Sequence, residues 1–339
     1  MATFRWLAVG VLLATPMLAN AIVWPGASPC DGTLQACINS ASAGSIVEVA
    51  SNTAIDEDLS FGIPLTLRAA SGYAPQLALD RGVYGSATID GTYVIEGFTL
   101  QRGFVYFAHG GGAANVRVRR VRVLAPTSTG SAEISVVSST SSPLTYELSE
   151  NDVDFAWDTY DGALHAAIQV LRSGTGNTDG RIHDNRVNAG GAWSAGILIT
   201  SQDNTHTARL YGNWIRGGHS YGSIDLRQGN LTGSGGGSLN TYVLNNVVTP
   251  LAQKGDAYGI KVDAYFGSLN LQAFNNTVSG AYSGVNVYAA PGVTGNGRIA
   301  NNLLSGNILN LALANSGSGT ISNDHNLLYD GSLSGAVAG

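Results

Sequence analysis

The sequence predicts an all-β solenoid forming a single elongated domain, and three observations predict it. The first is a repeated phrase, an asparagine with an aliphatic residue two places later: Asn151/Val153, Asn185/Val187, Asn213/Ile215, Asn246/Val248, Asn276/Val278, Asn302/Leu304 and Asn326/Leu328. Its intervals of 34, 28, 33, 30, 26 and 24 residues lie in the range of stacked repeats and are too irregular for a helical repeat of fixed length. The second is another alternating strand after each phrase (Ile168/Val170, Ile197/Ile199, Ile224/Leu226, Ile260/Val262, Val285/Val287, Leu311/Leu313), reached across a gap that varies from 9 to 17 residues. The third is composition. Charged residues are 12% of the 339 and Gly numbers 45, which suits short strands joined by tight turns.

Strands of period two from successive turns of the chain stack as parallel sheets. The constant short link at each asparagine then reads as a corner. Asparagine tolerates left-handed backbone, and its amide can bond the same amide in the next coil, stabilising by about 1 kcal/mol per bond. The variable stretch bulges to one side. Residues 95–100 and 118–123 show the phrase without its asparagine, so the coils begin before the ladder does.

Residues 1–21 have the form of a secretory signal: Arg5, an apolar stretch over 6–18, and the small-residue site Ala19-Asn20-Ala21. Export is therefore expected, to the periplasm, the cell surface or the medium, with the mature chain starting at Ile22. No later apolar run is long enough to span a bilayer, so no membrane insertion is expected. Residues 22–45 read as an N-terminal cap, with Cys30 and Cys37 flanking a short amphipathic helix within 32–42. An oxidising compartment favours a disulfide between them over free thiols, and a lone cysteine pair lacks the ligands for a metal. Residues 46–339 then form the solenoid. A net charge of -6, a pI near 5.4 and no block of like charges argue against nucleic acid as a partner. Arg117, Arg119, Arg120 and Arg122 read as the decoration of a single strand, and a monomer is expected.

With these elements placed, the chain resembles the right-handed parallel β-helix proteins of the pectin-lyase-like superfamily over about residues 30 to 330. The residues that carry the resemblance are Thr33-Leu34-Gln35-Ala36, Ile46-Val47-Glu48-Val49, Pro64-Leu65-Thr66-Leu67, the stretch 95–100 and the asparagine ladder. It implies a single-stranded, right-handed β-helix of about ten coils with a short N-terminal capping helix. The ending, with Asn301-Asn302-Leu303-Leu304 and Asp324-His325-Asn326, resembles bacterial secreted β-helix proteins that carry a further C-terminal anchoring segment, which suggests truncation at Gly339. A leucine-rich repeat also uses an asparagine ladder, but the L-x-x-L-x-L ahead of each asparagine is absent.

In the resembled superfamily the active groove runs along the outer face of the sheet that follows the variable turn. Mapped onto this chain, the outward residues of that sheet are Gln169, Leu198, Asp225, Lys261 and Asn286, beside Leu171, Thr200, Arg227, Asp263 and Tyr288. Adjacent strands lie about 4.8 Å apart, so Asp225 faces Lys261 and Arg227 faces Asp263 in a four-charge checkerboard. Two cross-strand ion pairs are one reading. The other is catalysis on an acidic sugar, which needs a cation to neutralise a uronate carboxylate and a base to take a proton. Arg227 and Lys261 would fill those roles, with Asp225 or Asp263 orienting them or helping to hold a Ca²⁺. A hydrolase would instead need two carboxylates across the scissile bond, for which Asp225 and Asp263 are the nearby pair.

Trp193, Tyr221, Tyr258 and Tyr282 recur once per coil ahead of the same strands and, with Tyr288, would stack on sugar rings or on one another. Residues 150–161 concentrate carboxylates that would bind Ca²⁺ or sugar, or simply be a solvated loop. Asn177-Thr178-Asp179-Gly180 resembles a polygalacturonase signature, but the companion Asp-Asp is missing, and Asp179 is expected in a turn away from the groove. The expected partner is an acidic extracellular polysaccharide, bound and cleaved by a lyase, or bound only, by a surface or adhesion solenoid.

Overall fold

The computed structural model describes residues 21–124, 132–156, 165–191, 193–217, 222–229, 236–250 and 257–335. The expected export signal lies outside them, apart from Ala21, which opens the strand Ala21–Trp24. The fold is a parallel β-helix. Three parallel sheets run its length, of 12, 11 and 11 strands. Sheet I holds the strands that lead into each asparagine, sheet II the short strands that follow it, and sheet III the strands beyond the variable turn. Each coil adds one strand to every sheet, which makes eleven coils among the described residues, in keeping with the expected count of about ten, and Ala21–Trp24 is the twelfth strand of sheet I.

The alternation in the sequence places the core. Ile134, Ile168, Ile197, Ile224, Ile260, Val285 and Leu311 are register partners in sheet III, and all are buried. Leu148, Ile182, Leu210, Val243, Ala273 and Ile299 line up likewise in sheet I. Each fully buried aliphatic side chain of this kind stabilises by roughly 1.5–3 kcal/mol.

At the corner between sheets I and II the seven asparagines form a continuous ladder. Each Nδ2 donates to Oδ1 of the next asparagine at 2.9–3.0 Å, from Asn151 through Asn326. Each also donates back to a carbonyl one coil earlier, as Asn213 does to Ile182 (2.9 Å). The same Oδ1 accepts the backbone N–H of the preceding asparagine, so donors and acceptors are both used. In the two coils before the ladder, Phe98 and Val121 take its place as buried apolar residues. One expectation is corrected. The left-handed residue is not the asparagine but the one before it: Glu150, Asp184, Gly212, Asn245, Asn275, Asn301 and His325 all have φ between 53° and 67°. The asparagine side chain is therefore free to point into the corner.

Further expectations are adjusted. Arg117 and Arg119 lie on one strand of sheet I, but Arg120 is a left-handed corner residue and Arg122 opens a strand of sheet II, so the basic run wraps a corner. The helix spans Leu34–Ser40, capped by Thr33, whose Oγ1 accepts from the Ala36 N–H at 3.1 Å. The Glu57 carboxylate takes the next free N–H groups, those of Leu34 and Gln35 (3.0 and 2.9 Å). Cys30 and Cys37 are joined in a buried disulfide that ties the helix to the preceding turn.

One inward column of sheet III is polar. His109, Ser138, Arg172, Ser201 and Gln228 are register partners, and Arg172 is 1% exposed. Its guanidinium donates to Ser138 Oγ and to the carbonyls of Ser142 (2.9 Å) and Gly176 (2.8 Å). Ser138 is 2.7 Å from His109 Nδ1, and His109 Nε2 is 2.8 Å from the Gly112 carbonyl. A carbonyl only accepts, so Nε2 of His109 carries a proton, and with the ring neutral its Nδ1 accepts from the Ser138 hydroxyl. Burial lowers the pKa of His109, in agreement.

Candidate functional site

The four charged candidates meet on the neighbouring strands Gly222–Gln228 and Tyr258–Ala264 of sheet III. Asp225 is the register partner of Lys261, and Arg227 of Asp263. The side-chain bonds seen among the described residues, however, run along each strand. Arg227 grips Asp225, two residues before it, through Nε and Nη2 at 2.8 and 2.7 Å. Lys261 Nζ lies 3.0 Å from Asp263 Oδ2. The Tyr265 hydroxyl donates to the same oxygen at 3.1 Å, and its ring lies 5.7 Å from that of Tyr288. Tyr265 went unnoticed in the sequence because it falls one residue beyond its strand, outside the alternating frame.

A second correction concerns access. Gln169, Leu198 and Asp225 were expected on an open groove, but each is at most 1% exposed. Both faces of the strands Ala166–Arg172, Ala195–Ser201 and Gly222–Gln228 are largely buried. On the outer side Leu198 packs with Ala166 and Ala195 in a small apolar cluster separate from the main core, which accounts for its burial there. Lys261 retains some access, its side chain being 17% exposed.

Burial raises the pKa of Asp225, and the guanidinium of Arg227 only partly offsets it. For Arg227 burial works against the charge, but the carboxylates of Asp225 and Asp263 outweigh it, so the guanidinium is held more firmly protonated than in water. Burial and the Asp263 carboxylate push the Tyr265 phenol upward. Breaking the pair would take from the buried guanidinium of Arg227 the carboxylate that it grips through two nitrogens. Asp225→Ala is accordingly expected to lower unfolding stability by about 3 kcal/mol, measured by chemical denaturation; a loss below about 1 kcal/mol would show that the pair behaves as a solvated one.

Of the ring column, Trp193, Tyr258 and Tyr282 are half-buried and outside the hydrophobic core, and Tyr221 lies outside the described residues. Lys261 Nζ stands 5.2 Å from the centre of the Tyr258 ring. Tyr258 therefore edges the charged cluster. In the acidic stretch, Asp152 and Asp154 lie on sheet II, where Asp152 is 3.4 Å from Arg122 and Asp154 accepts from Asn188 at 3.2 Å. Asp158 and Asp161 lie outside the described residues. Among the described residues no group of three His, Cys, Asp or Glu side chains is gathered to hold a metal ion. Asp179 is not in a turn: it is the second residue of strand Thr178–His183 on sheet I, paired with Arg209 at 2.5 Å and remote from the cluster.

The architecture and the site thus define a parallel β-helix solenoid with a buried, internally neutralised charge cluster on one sheet. Compared with known family models, with curated proteins and with solved structures, the chain matches none.

Proposed function

We propose that the protein is an exported β-helix of the pectin-lyase-like kind that binds an acidic extracellular polysaccharide beside Lys261 and does not cleave it. The observation that carries this reading is the state of the cations. A lyase needs a base near the uronate carbon, and both candidate cations are engaged in their charged form, Arg227 gripping Asp225 and Lys261 lying 3.0 Å from Asp263. A hydrolase needs two accessible carboxylates, and Asp225 is fully buried against Arg227. Lys261, partly accessible and edged by Tyr258, suits a different task. It would meet a sugar carboxylate while the ring offers an apolar face.

The test is titration with pectate, alginate and hyaluronate by calorimetry, run beside an ultraviolet assay for unsaturated sugar ends with and without Ca²⁺. Saturable, salt-sensitive binding without product is expected, with Lys261→Ala weakening it about tenfold. Appearance of unsaturated ends would replace binding by lyase action. Absence of both binding and product would leave an adhesion solenoid with a purely structural charge cluster.

A further inference from the structure

At its N-terminal end the outer face of sheet III is open. Two outward columns run side by side there. Ser60, Tyr84 and Tyr106 are register partners in one, while Ser86 and Ala108 are register partners in the other, next to Gly62. Large rings beside small residues make a trough with an aromatic wall and a low floor, enclosing about 450 Å³, and Asn39 of the capping helix stands at its end. Tyr84 is 43% exposed, so its ring is accessible from solvent. It is also braced: the Phe104 ring meets it edge-on, 4.9 Å away at 85°, and Phe104 occupies the space that a Cβ at Gly82 would need.

The chemistry of the lining names the ligand class. No charged side chain lines the trough. The hydroxyls of Tyr84, Tyr106, Ser60 and Ser86 have no hydrogen-bond partner among the described residues. Asn39 Oδ1 accepts from Gln35 at 2.7 Å, which leaves its Nδ2 to donate. A pyranose has an apolar face rimmed by hydroxyls, and a pair of rings on successive strands about 4.8 Å apart, edged by unused hydroxyls, complements it. A lipid would leave those hydroxyls unpaired, a peptide lacks the flat hydroxyl-rimmed face that the paired rings complement, and a polyanion would find no cation. We infer that this trough is a carbohydrate site that takes a neutral glycan segment. It does not rest on the reading of Lys261, from which Tyr84 is separated by six strand steps along sheet III, roughly 30 Å.

The experiment is calorimetric titration with oligosaccharides of neutral β-glucan, mannan, xylan and arabinan, beside uronate oligosaccharides. Saturable binding of at least one neutral class is expected, insensitive to salt. Tyr84→Ala and Tyr106→Ala should each weaken it about tenfold or more. Ala108→Trp, which fills the floor and leaves both rings in place, should abolish it, while Lys261→Ala should leave it unchanged. Three results would overturn the proposal: no neutral oligosaccharide saturating the protein, binding indifferent to both tyrosines, or self-association in sedimentation that Tyr84→Ala removes, which would make a second copy of the chain the occupant. Loss of uronate binding with neutral binding intact would count against the Lys261 site alone.

Discussion

Replacing Asn213 by aspartate is expected to destabilise the fold by about 4 kcal/mol, although the two side chains have nearly the same shape. Asn213 is 1% exposed and sits in the middle of the ladder. Its Oδ1 accepts from the backbone N–H and the Nδ2 of Asn185, while its own Nδ2 donates to Ile182 O and to Asn246 Oδ1. An aspartate keeps the acceptor and loses both donors, so an oxygen would face two oxygens in a buried site. Asn213→Ala removes the same donors without the repulsion and should cost somewhat less. At Asn326, the half-buried last rung, the same change should cost least, because solvent can replace the missing partner. Denaturant unfolding of the three variants tests this ordering. An aspartate at 213 tolerated within about 1 kcal/mol would mean that the ladder records the fold without sustaining it.

Glu133 sets an unusual alkaline limit on stability. It is 3% exposed, Oε1 has no hydrogen-bond partner, and burial pushes its pKa from 4.5 up to about 8. Below pH 4.5 it is neutral in both the folded and the unfolded chain, and no difference arises. As pH rises from there, the unfolded chain releases the proton and the folded one keeps it, so stability falls until about pH 8. The full loss is about 4–5 kcal/mol at 1.36 kcal/mol per pH unit. His206 acts in the opposite direction: burial, with Arg172 nearby, lowers its pKa from 6.5 to about 3, so its contribution is present above 6.5 and lost as pH falls towards 3. The two slopes oppose each other between pH 4.5 and 6.5, and above that His206 no longer offsets the Glu133 slope. Glu133→Gln, neutral at every pH, should therefore remove the decline between pH 6.5 and 8. Guanidinium unfolding of both proteins at about pH 6.5 and pH 9 measures it. Equal stability of the wild-type protein at the two values, with the Glu133→Gln variant behaving the same way, would contradict the assignment.

Much of this architecture is legible in the residues because one side chain does one job repeatedly. Asparagine is the short side chain that can both donate and accept along a stack, so the ladder selects it and the register of the coils from Asn151 onward follows. The left-handed position one residue earlier leaves no such trace. Aspartate, glutamate, glycine, asparagine and histidine all occupy it, because φ near 55° asks only for the absence of a branched Cβ. In the charge cluster the register was readable but the direction of bonding was not. Neighbours along and across strands lie at similar reach, and rotamers decide between them. Whether the face around Asp225 is open depends on packing beyond the strands themselves, which no periodicity encodes. The Tyr84 and Tyr106 trough escaped notice because it lies in coils where Phe98 and Val121 replace the asparagine, so the frame that aligns the later strands is missing there. Once those coils are in register, two tyrosines beside a glycine, a serine and an alanine are a visible signal.

The ladder also bears on how such a chain can change length. Every interior rung receives two bonds on one side and passes two on, always through the same atoms, and none depends on how many residues separate it from its neighbour: spans of 24 and 34 residues serve equally. A segment running from one asparagine to the residue before the next can therefore be removed or duplicated and leave every remaining amide with a partner of the same kind. Within the interior of this solenoid, the number of coils is a quantity that descent can count up or down in whole units, while the corner that joins them stays fixed.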